Sequence, residues 1–206
     1  MTSGPTAEGT RDDGPVPVPQ CVPALATRIA DAEARCGSTR VVCIDGPAGS
    51  GKTTLAGALS EVLDGAPVVH MDDLYEGWGQ ALGDPLALRV EAWLLVPWGA
   101  GLPGMHPRYD WALGRYAEWV TVPAAPVVIL EGCASGSRRV RERSSLVVWV
   151  EAPAELRLQR GVERDGAALA PQWREWQAHE QAHFTADGTR AAADVVIDGV
   201  SGRIRR

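Results

Sequence analysis

Five short apolar runs punctuate the chain, at residues 41–44, 67–71, 127–130, 146–150 and 193–197. Each is rich in Val, Ile or Leu and lacks the in-out alternation of a half-exposed strand, as expected for strands covered on both faces of a sheet. Between them, apolar residues recur three and four apart, the helical period. Leu25, Ile29, Ala32 and Cys36 mark one such face, ending near Gly37. Leu55, Ala56, Leu59 and Leu63 mark another, closed by Asp64-Gly65. Asp84-Pro85 opens a helix through Leu88, Val90 and Leu94-Leu95, with its stop at Pro97 and Gly99. Residues 153–164, with Leu156 inward, and 173–184 give two more. Strands alternating with helices predict an α/β fold built on one mostly parallel five-stranded sheet, a three-layer α/β/α sandwich.

Residues 1 to about 20 carry Gly, Pro, Thr and charge without periodicity and read as a disordered tail, leaving 21–206 as a single domain. Residues 76–123 are the least regular part, an insertion between two sheet strands that is rich in aromatics. Residues 101–107 read as a loop, and Arg108 and Asp110 can pair with each other or face polar groups of a substrate.

One connection carries decisive chemistry. The run Gly46-Pro47-Ala48-Gly49-Ser50-Gly51-Lys52-Thr53 fits the phosphate-loop pattern G-x-x-x-x-G-K-[ST] and stands between a strand and a helix, the context it requires. Glycines let successive backbone N–H groups converge on phosphate oxygens, and the N-terminus of the next helix adds its positive end. Gly46, Ala48, Gly49, Ser50, Gly51, Lys52, Thr53 and Thr54 are the candidate nucleotide cradle. Within it Lys52 reaches the β- and γ-phosphates and Thr53 offers a hydroxyl to Mg²⁺. ATP and Mg²⁺ are the expected cofactors.

Ligands of an open α/β sheet sit at the C-terminal ends of its strands. The run at 67–71 delivers Asp72, Asp73 and Tyr75 there. Asp72 is the candidate base or orienter of a phosphoryl acceptor and a candidate Mg²⁺ ligand, unless the two aspartates simply face solvent. Asp73 caps the next segment or contacts substrate, and Tyr75 closes over the acceptor or packs. Glu131 ends the third run, where a carboxylate can hold a magnesium-bound water or serve as a cap or ion-pair partner. Arg157, Arg160 and Arg164 can share a helical face, as a lid over the triphosphate at about 157–170 or as a plain charged surface. Arg138, Arg139, Arg141 and Arg143 read as a solvated helix face with one arginine able to reach inward.

Composition narrows the partners. A formal charge of −6 disfavours a nucleic acid held on a basic surface. Four cysteines without metal-ligand spacing, with Cys43 and Cys133 read as core fillers, suit a reduced, cytoplasmic protein. His179 and His183 lie four apart without a third ligand and read as helix surface. No run is long enough to span a membrane, and no export signal opens the chain. Of eight tryptophans, Trp78, Trp93, Trp98, Trp111 and Trp119 fall between the second and third strands, suiting either core packing or a flat substrate.

Taken together, residues 38–199 resemble the uridine kinase-like branch of the phosphate-loop kinases, which includes phosphoribulokinase and pantothenate kinase. The resemblance rests on the run 45–53, on Asp72-Asp73-Leu74-Tyr75, Tyr109-Asp110-Trp111, Glu131-Gly132, the Arg160 to Asp165 segment and Asp198-Gly199 at a nucleotide-base loop. It implies that Asp72 is the general base, that Tyr75 and Tyr109 help hold the acceptor, and that Arg160 and Arg164 sit in a small helical lid; Asp73, Arg108 and Trp111 are further candidate substrate contacts. The histidine that follows the aromatic motif in uridine kinases is absent here, where Trp111 precedes Ala112-Leu113-Gly114-Arg115. The expected activity is ATP-dependent phosphoryl transfer to a hydroxyl of a small molecule, a nucleoside or a similar metabolite. A nucleoside monophosphate kinase and a slowly hydrolysing switch protein are the alternatives. The expected partner is that alcohol or nucleoside, with no nucleic acid, no membrane, and a homodimer left open.

Overall fold

A computed structural model of the chain describes residues 20–79 and 81–205. The tail expected over residues 1 to about 20 thus falls, but for Gln20, outside the described residues. In chain order the elements are α1 (Val22–Asp31), β1 (Arg40–Asp45), α2 (Lys52–Val62), β2 (Val68–His70), α3 (Asp84–Val90), a π-helical turn (Glu91–Leu95) and α4 (Val96–Gly99). Then come β3 (Gly104–Asp110), β4 (Arg115–Val122), β5 (Val127–Glu131), α5 (Arg138–Arg141), β6 (Leu146–Glu151), α6 (Ala154–Asp165), α7 (Ala170–Asp187), α8 (Thr189–Ala192) and β7 (Val195–Asp198).

Five strands form one sheet in the order β2-β5-β1-β6-β7, and every neighbouring pair is parallel. The continuous apolar runs follow from this, because helices cover both faces. Along β1, Val42 and Ile44 turn to one face and pack with Leu25 and Ile29 of α1 and Leu55 and Leu59 of α2. Val41 and Cys43 turn to the other and join Leu86, Val90, Leu94 and Trp98 of the insertion and Trp176 of α7. The result is the expected three-layer α/β/α sandwich.

The structure departs from the sequence reading in four places. First, α1 stops at Asp31, and Cys36 reaches the core through a short bridge to Thr39 instead of through a helical turn.

Second, the insertion helix passes through Pro97 by way of a π turn and stops at Gly99, the later of the two expected signals. The π turn widens the ladder just before the proline, whose missing N–H then falls at the start of α4 and breaks nothing. Third, the expected loop at 101–107 is largely strand. β3 and β4 form an antiparallel hairpin apart from the main sheet, and its register shifts between Pro107 and Tyr109, a bulge that tolerates proline.

Fourth, Arg108 and Asp110 do not pair. Arg108 meets Glu118 across the hairpin, while Asp110 Oδ1 accepts the N–H groups of Ala112 and Leu113 and so shapes its turn. No described helix is long and apolar enough to cross a membrane.

Candidate active site

The phosphate loop leaves β1 and enters α2 through glycines that no larger residue replaces cheaply. Gly49 has φ 77°, and a Cβ there would stand 2.7 Å from the carbonyl oxygen of Arg157. This close approach seats α6 on the loop. Arg157 donates to the Ala48 carbonyl at 3.1 Å and Arg160 to the Gly49 carbonyl at 3.1 Å.

Beneath the loop lies Asp45, fully buried, which accepts N–H groups from Gly46, Ala134 and Gly136. Burial nonetheless pushes its carboxyl up to about 7 against those bonds and against Lys52. Lys52 is itself buried and donates to the Pro47 carbonyl at 3.0 Å. Burial alone would depress its ammonium, but Cys133, Glu131, Asp45 and Glu180 around it leave the net shift upward.

Two cavities open on this loop. One, of about 610 Å³, is lined by Gly49, Gly51, Lys52, Thr53 and Thr54, by Arg160 and Arg164 of α6, and by the loop 198–202 after β7. The other, of about 550 Å³, is lined by Ala48, Asp72, Glu131, Cys133 and a wall of aromatic residues. Gly49, Lys52, Thr53, Arg164 and Trp173 belong to both. Gly46 and Ser50 line neither and shape the turn from below.

At the junction, Thr53 donates to Glu131 Oε1 at 3.1 Å, and His70 Nδ1 lies 2.5 Å from the same oxygen. That hydrogen bond raises the His70 pKa more than partial burial lowers it. Solvent reaches Asp72 from the open side of the cleft, yet the surrounding walls displace enough water to raise its pKa. Glu131 pushes in the same direction, while Lys52, Arg164 and His70 oppose it. Oxygen donors from Thr53, Glu131 and Asp72 fit Mg²⁺, which normally takes one or two carboxylates and completes its shell with waters and substrate phosphates.

Most of the expected site residues therefore converge, though not all in one role. Tyr75 lines the second cavity with its ring, while its hydroxyl is held by the Cys133 carbonyl at 2.8 Å. Trp111 lines it too and donates its indole N–H to the Asp72 carbonyl. Tyr109 stands behind Trp111, ring centroids 5.2 Å apart. Asp73 and Arg108 line neither cavity.

Arg157 belongs to the framework: it pairs with Glu180 at 2.6 Å, both side chains nearly inaccessible. Arg139 pairs with Glu91 and Arg141 with Asp187, and none of residues 138, 139, 141 and 143 lines either cavity. His179 and His183 join no group of three or more potential metal ligands among the described residues.

Several site residues escaped the sequence reading. Glu180 accepts the Ala48 N–H at 2.7 Å from a helix far along the chain. Asp45 opens the quoted run 45–53 and His70 precedes Asp72, but the sequence assigns neither a role of its own. Trp173 and Trp176 could have been suspected only from the tryptophan count, whereas Trp78 stands in the cluster already singled out.

Known structures share this architecture. The chain aligns with a possible uridine kinase from Bacillus stearothermophilus at a TM-score of 0.62 and 23% identity, over 85% of this chain and 96% of that one. The fold is shared with that possible uridine kinase. A candidate fructose transport system kinase from Silicibacter sp. TM1040 aligns at a TM-score of 0.54 and 22% identity, over 81% and 94% of the two chains. No family model matches the sequence, and neither does any curated protein. In this kinase fold the phosphate loop, Asp72 and Glu131 all lie at the C-terminal edge of the sheet, where the strand order reverses on either side of β1.

Proposed function

We propose that the chain transfers the γ-phosphoryl group of ATP to a hydroxyl of a small molecule, a nucleoside or a similar metabolite. One observation carries this reading: two separate cavities meet at Lys52, Thr53 and Arg164. A hydrolase needs one pocket and a water; a transferase needs two pockets that touch where the group crosses.

The first cavity suits the nucleotide, with phosphates on the loop and the base toward residues 198–202. The second suits the acceptor. Asp72 lines it with a carboxyl whose pKa stands above its ordinary value, which improves its match to an alcohol proton. In the proposed step the acceptor oxygen gives its proton to Asp72 and bonds to the γ-phosphorus. The bond to the β–γ bridging oxygen breaks, and ADP leaves with that electron pair. Lys52, Arg160 and Arg164 offset the charge on the transferring group, the main contribution a protein makes to this chemistry. Thr53 and Glu131, with Asp72 beside them, would hold Mg²⁺, which when bound neutralises the phosphates.

With an acceptor seated against them, the tryptophan walls would leave little room for water and so limit wasteful hydrolysis. Coupled ATP consumption, measured with nucleosides, sugars and other alcohols and with Mg²⁺ present, tests the proposal. One acceptor is expected to raise consumption many-fold in the natural chain and not in Lys52→Ala. Consumption that ignores every acceptor, or that survives Lys52→Ala, would sink it.

A further inference from the structure

The acceptor cavity is walled by Trp78, Trp111, Trp173 and Trp176 together with Tyr75. They come from three parts of the chain: the segment after β2, the hairpin tip and α7. Trp78 is the hub, with ring centroids 5.3 Å from Trp111, 6.3 Å from Trp173 and 5.8 Å from Trp176, each pair inclined by 65° or more. The rings thus meet edge to face and form a faceted wall in place of a flat stack.

Three of the polar ends are taken up by the protein, whereas the buried Trp176 N–H has no partner among the described residues. The Trp111 N–H goes to the Asp72 carbonyl, the Trp173 N–H to Asp165 and the Tyr75 hydroxyl to the Cys133 carbonyl. What these three offer an acceptor is apolar ring surface.

The charges in the cavity sharpen the picture. Its only cations among the described residues are Lys52 and Arg164, and both also line the nucleotide cavity, where the phosphates require them. Arg164 in addition pairs with Asp165 and lies over the Trp173 ring, 5.5 Å from its centroid. The same cavity holds Asp72, Glu131 and Asp165, of which Asp165 pairs with Arg164 and Glu131 with His70. An acceptor bringing its own phosphate or carboxylate would face the Asp72 carboxylate and find no cation reserved for it, an electrostatic penalty. Among the described lining residues there is also no Asn, Gln, Ser or His to read the edge of a base.

Resting on the transferase reading above, we infer that the acceptor is an uncharged alcohol carried on a ring scaffold. It would be recognised by stacking of the ring on the tryptophan wall, and it would bear no phosphate or carboxylate. Sugar phosphates, nucleoside monophosphates and hydroxy acids fall outside this class.

Calorimetric titration without ATP tests the class apart from turnover, using two matched pairs: phenyl β-glucoside against phenyl β-glucuronide, and uridine against uridine 5′-monophosphate. The neutral member of at least one pair is expected to bind at least about tenfold more tightly than its anionic partner. Trp78→Ala and the more exposed Trp111→Ala are each expected to weaken that binding by about tenfold or more, the scale of one lost ring stack. Trp111, at the hairpin tip, keeps the test valid if Trp78→Ala fails to fold. Three results would overturn the inference: anionic partners binding as well or better in both pairs, no neutral probe binding at millimolar concentration, or binding indifferent to the loss of Trp111. Neutral binding with no acceptor-dependent ATP consumption by any alcohol would instead overturn phosphoryl transfer and leave the ligand class intact.

Discussion

Gly161→Ala separates the geometry of the site from the stability of the chain. Gly161 lies inside α6 with ordinary helical dihedrals, so alanine adds no backbone strain and its higher helix propensity is worth about 1 kcal/mol. Space is the obstacle. A Cβ there would stand 2.4 Å from Cε2 of Trp173 and 2.6 Å from Cδ2 and Cζ2. Carbon atoms in contact keep about 3.5–4.0 Å, so α6 and the indole must part by roughly 1 Å. Trp173 is buried and cannot swing aside freely. Overpacking of this kind costs about 1–3 kcal/mol, so the net loss of stability is expected to be about 0–2 kcal/mol. Arg160 and Arg164 ride on the same helix and move with it. A misplacement of about 1 Å lowers turnover by roughly 10²-fold. Steady-state ATP turnover with the best acceptor and urea midpoints at one pH check both numbers. Gly57→Ala in α2 is the control, since nothing lies within 4 Å of its added Cβ. It is expected to leave turnover unchanged and to gain up to about 1 kcal/mol. Turnover of Gly161→Ala within about threefold of the natural chain would refute the placement of the α6 arginines in the transfer.

Three further outcomes are expected. Asp72→Asn lowers acceptor-dependent turnover by roughly 10²–10⁴ while nucleotide affinity, read by calorimetry, stays nearly unchanged; near-normal turnover would remove the base role from Asp72. Glu180→Ala strands the buried Arg157 guanidinium and frees the Ala48 N–H, at a cost of about 3–5 kcal/mol in urea unfolding, and a loss below about 1 kcal/mol would refute the clamp. Asp45 keeps its proton up to about 7 in the folded chain and releases it near 3.8 when unfolded. The native state therefore binds more protons between those values, and stability falls as pH rises through the window, by up to about 4 kcal/mol on this account. Asp45→Asn is expected to flatten that slope in urea midpoints taken from pH 4 to pH 8, and an unchanged slope would exclude Asp45 as its source.

The sheet was legible because its chemistry is local. A strand covered on both faces must be apolar throughout, so β1, β5 and β6 show themselves without reference to one another. The phosphate loop was legible for a similar reason, since the glycines, the lysine and the threonine all serve one turn of chain. The hairpin was hidden because its signals conflict. Gly104 and Pro107 read as loop, yet Gly104 is needed where β3 crosses the π turn, as a Cβ there would lie 2.9 Å from Leu94 Cδ2. Pro107 sits at the bulge, where the ladder is already irregular and proline is tolerated. In both cases tertiary contact decided against local propensity.

The arginines of α6 show a harder limit. Residues 157, 160 and 164 share a spacing that predicts one face and one purpose, yet the structure gives them three different partners. Arg157 turns inward to Glu180 and the Ala48 carbonyl, Arg160 reaches the Gly49 carbonyl, and Arg164 rests on Trp173 beside Asp165. Spacing fixes direction around a helix, but the partner that each direction meets is set by α7 and the phosphate loop, which the local sequence does not encode. Glu180 decides the matter. Once its carboxylate is buried against Ala48 at 2.7 Å it needs a cation, and Arg157 is the arginine within reach. Arg160 and Arg164 are thereby left to line the first cavity, with Arg164 also at its junction with the second. The division of labour along α6 thus follows from one buried acid on α7.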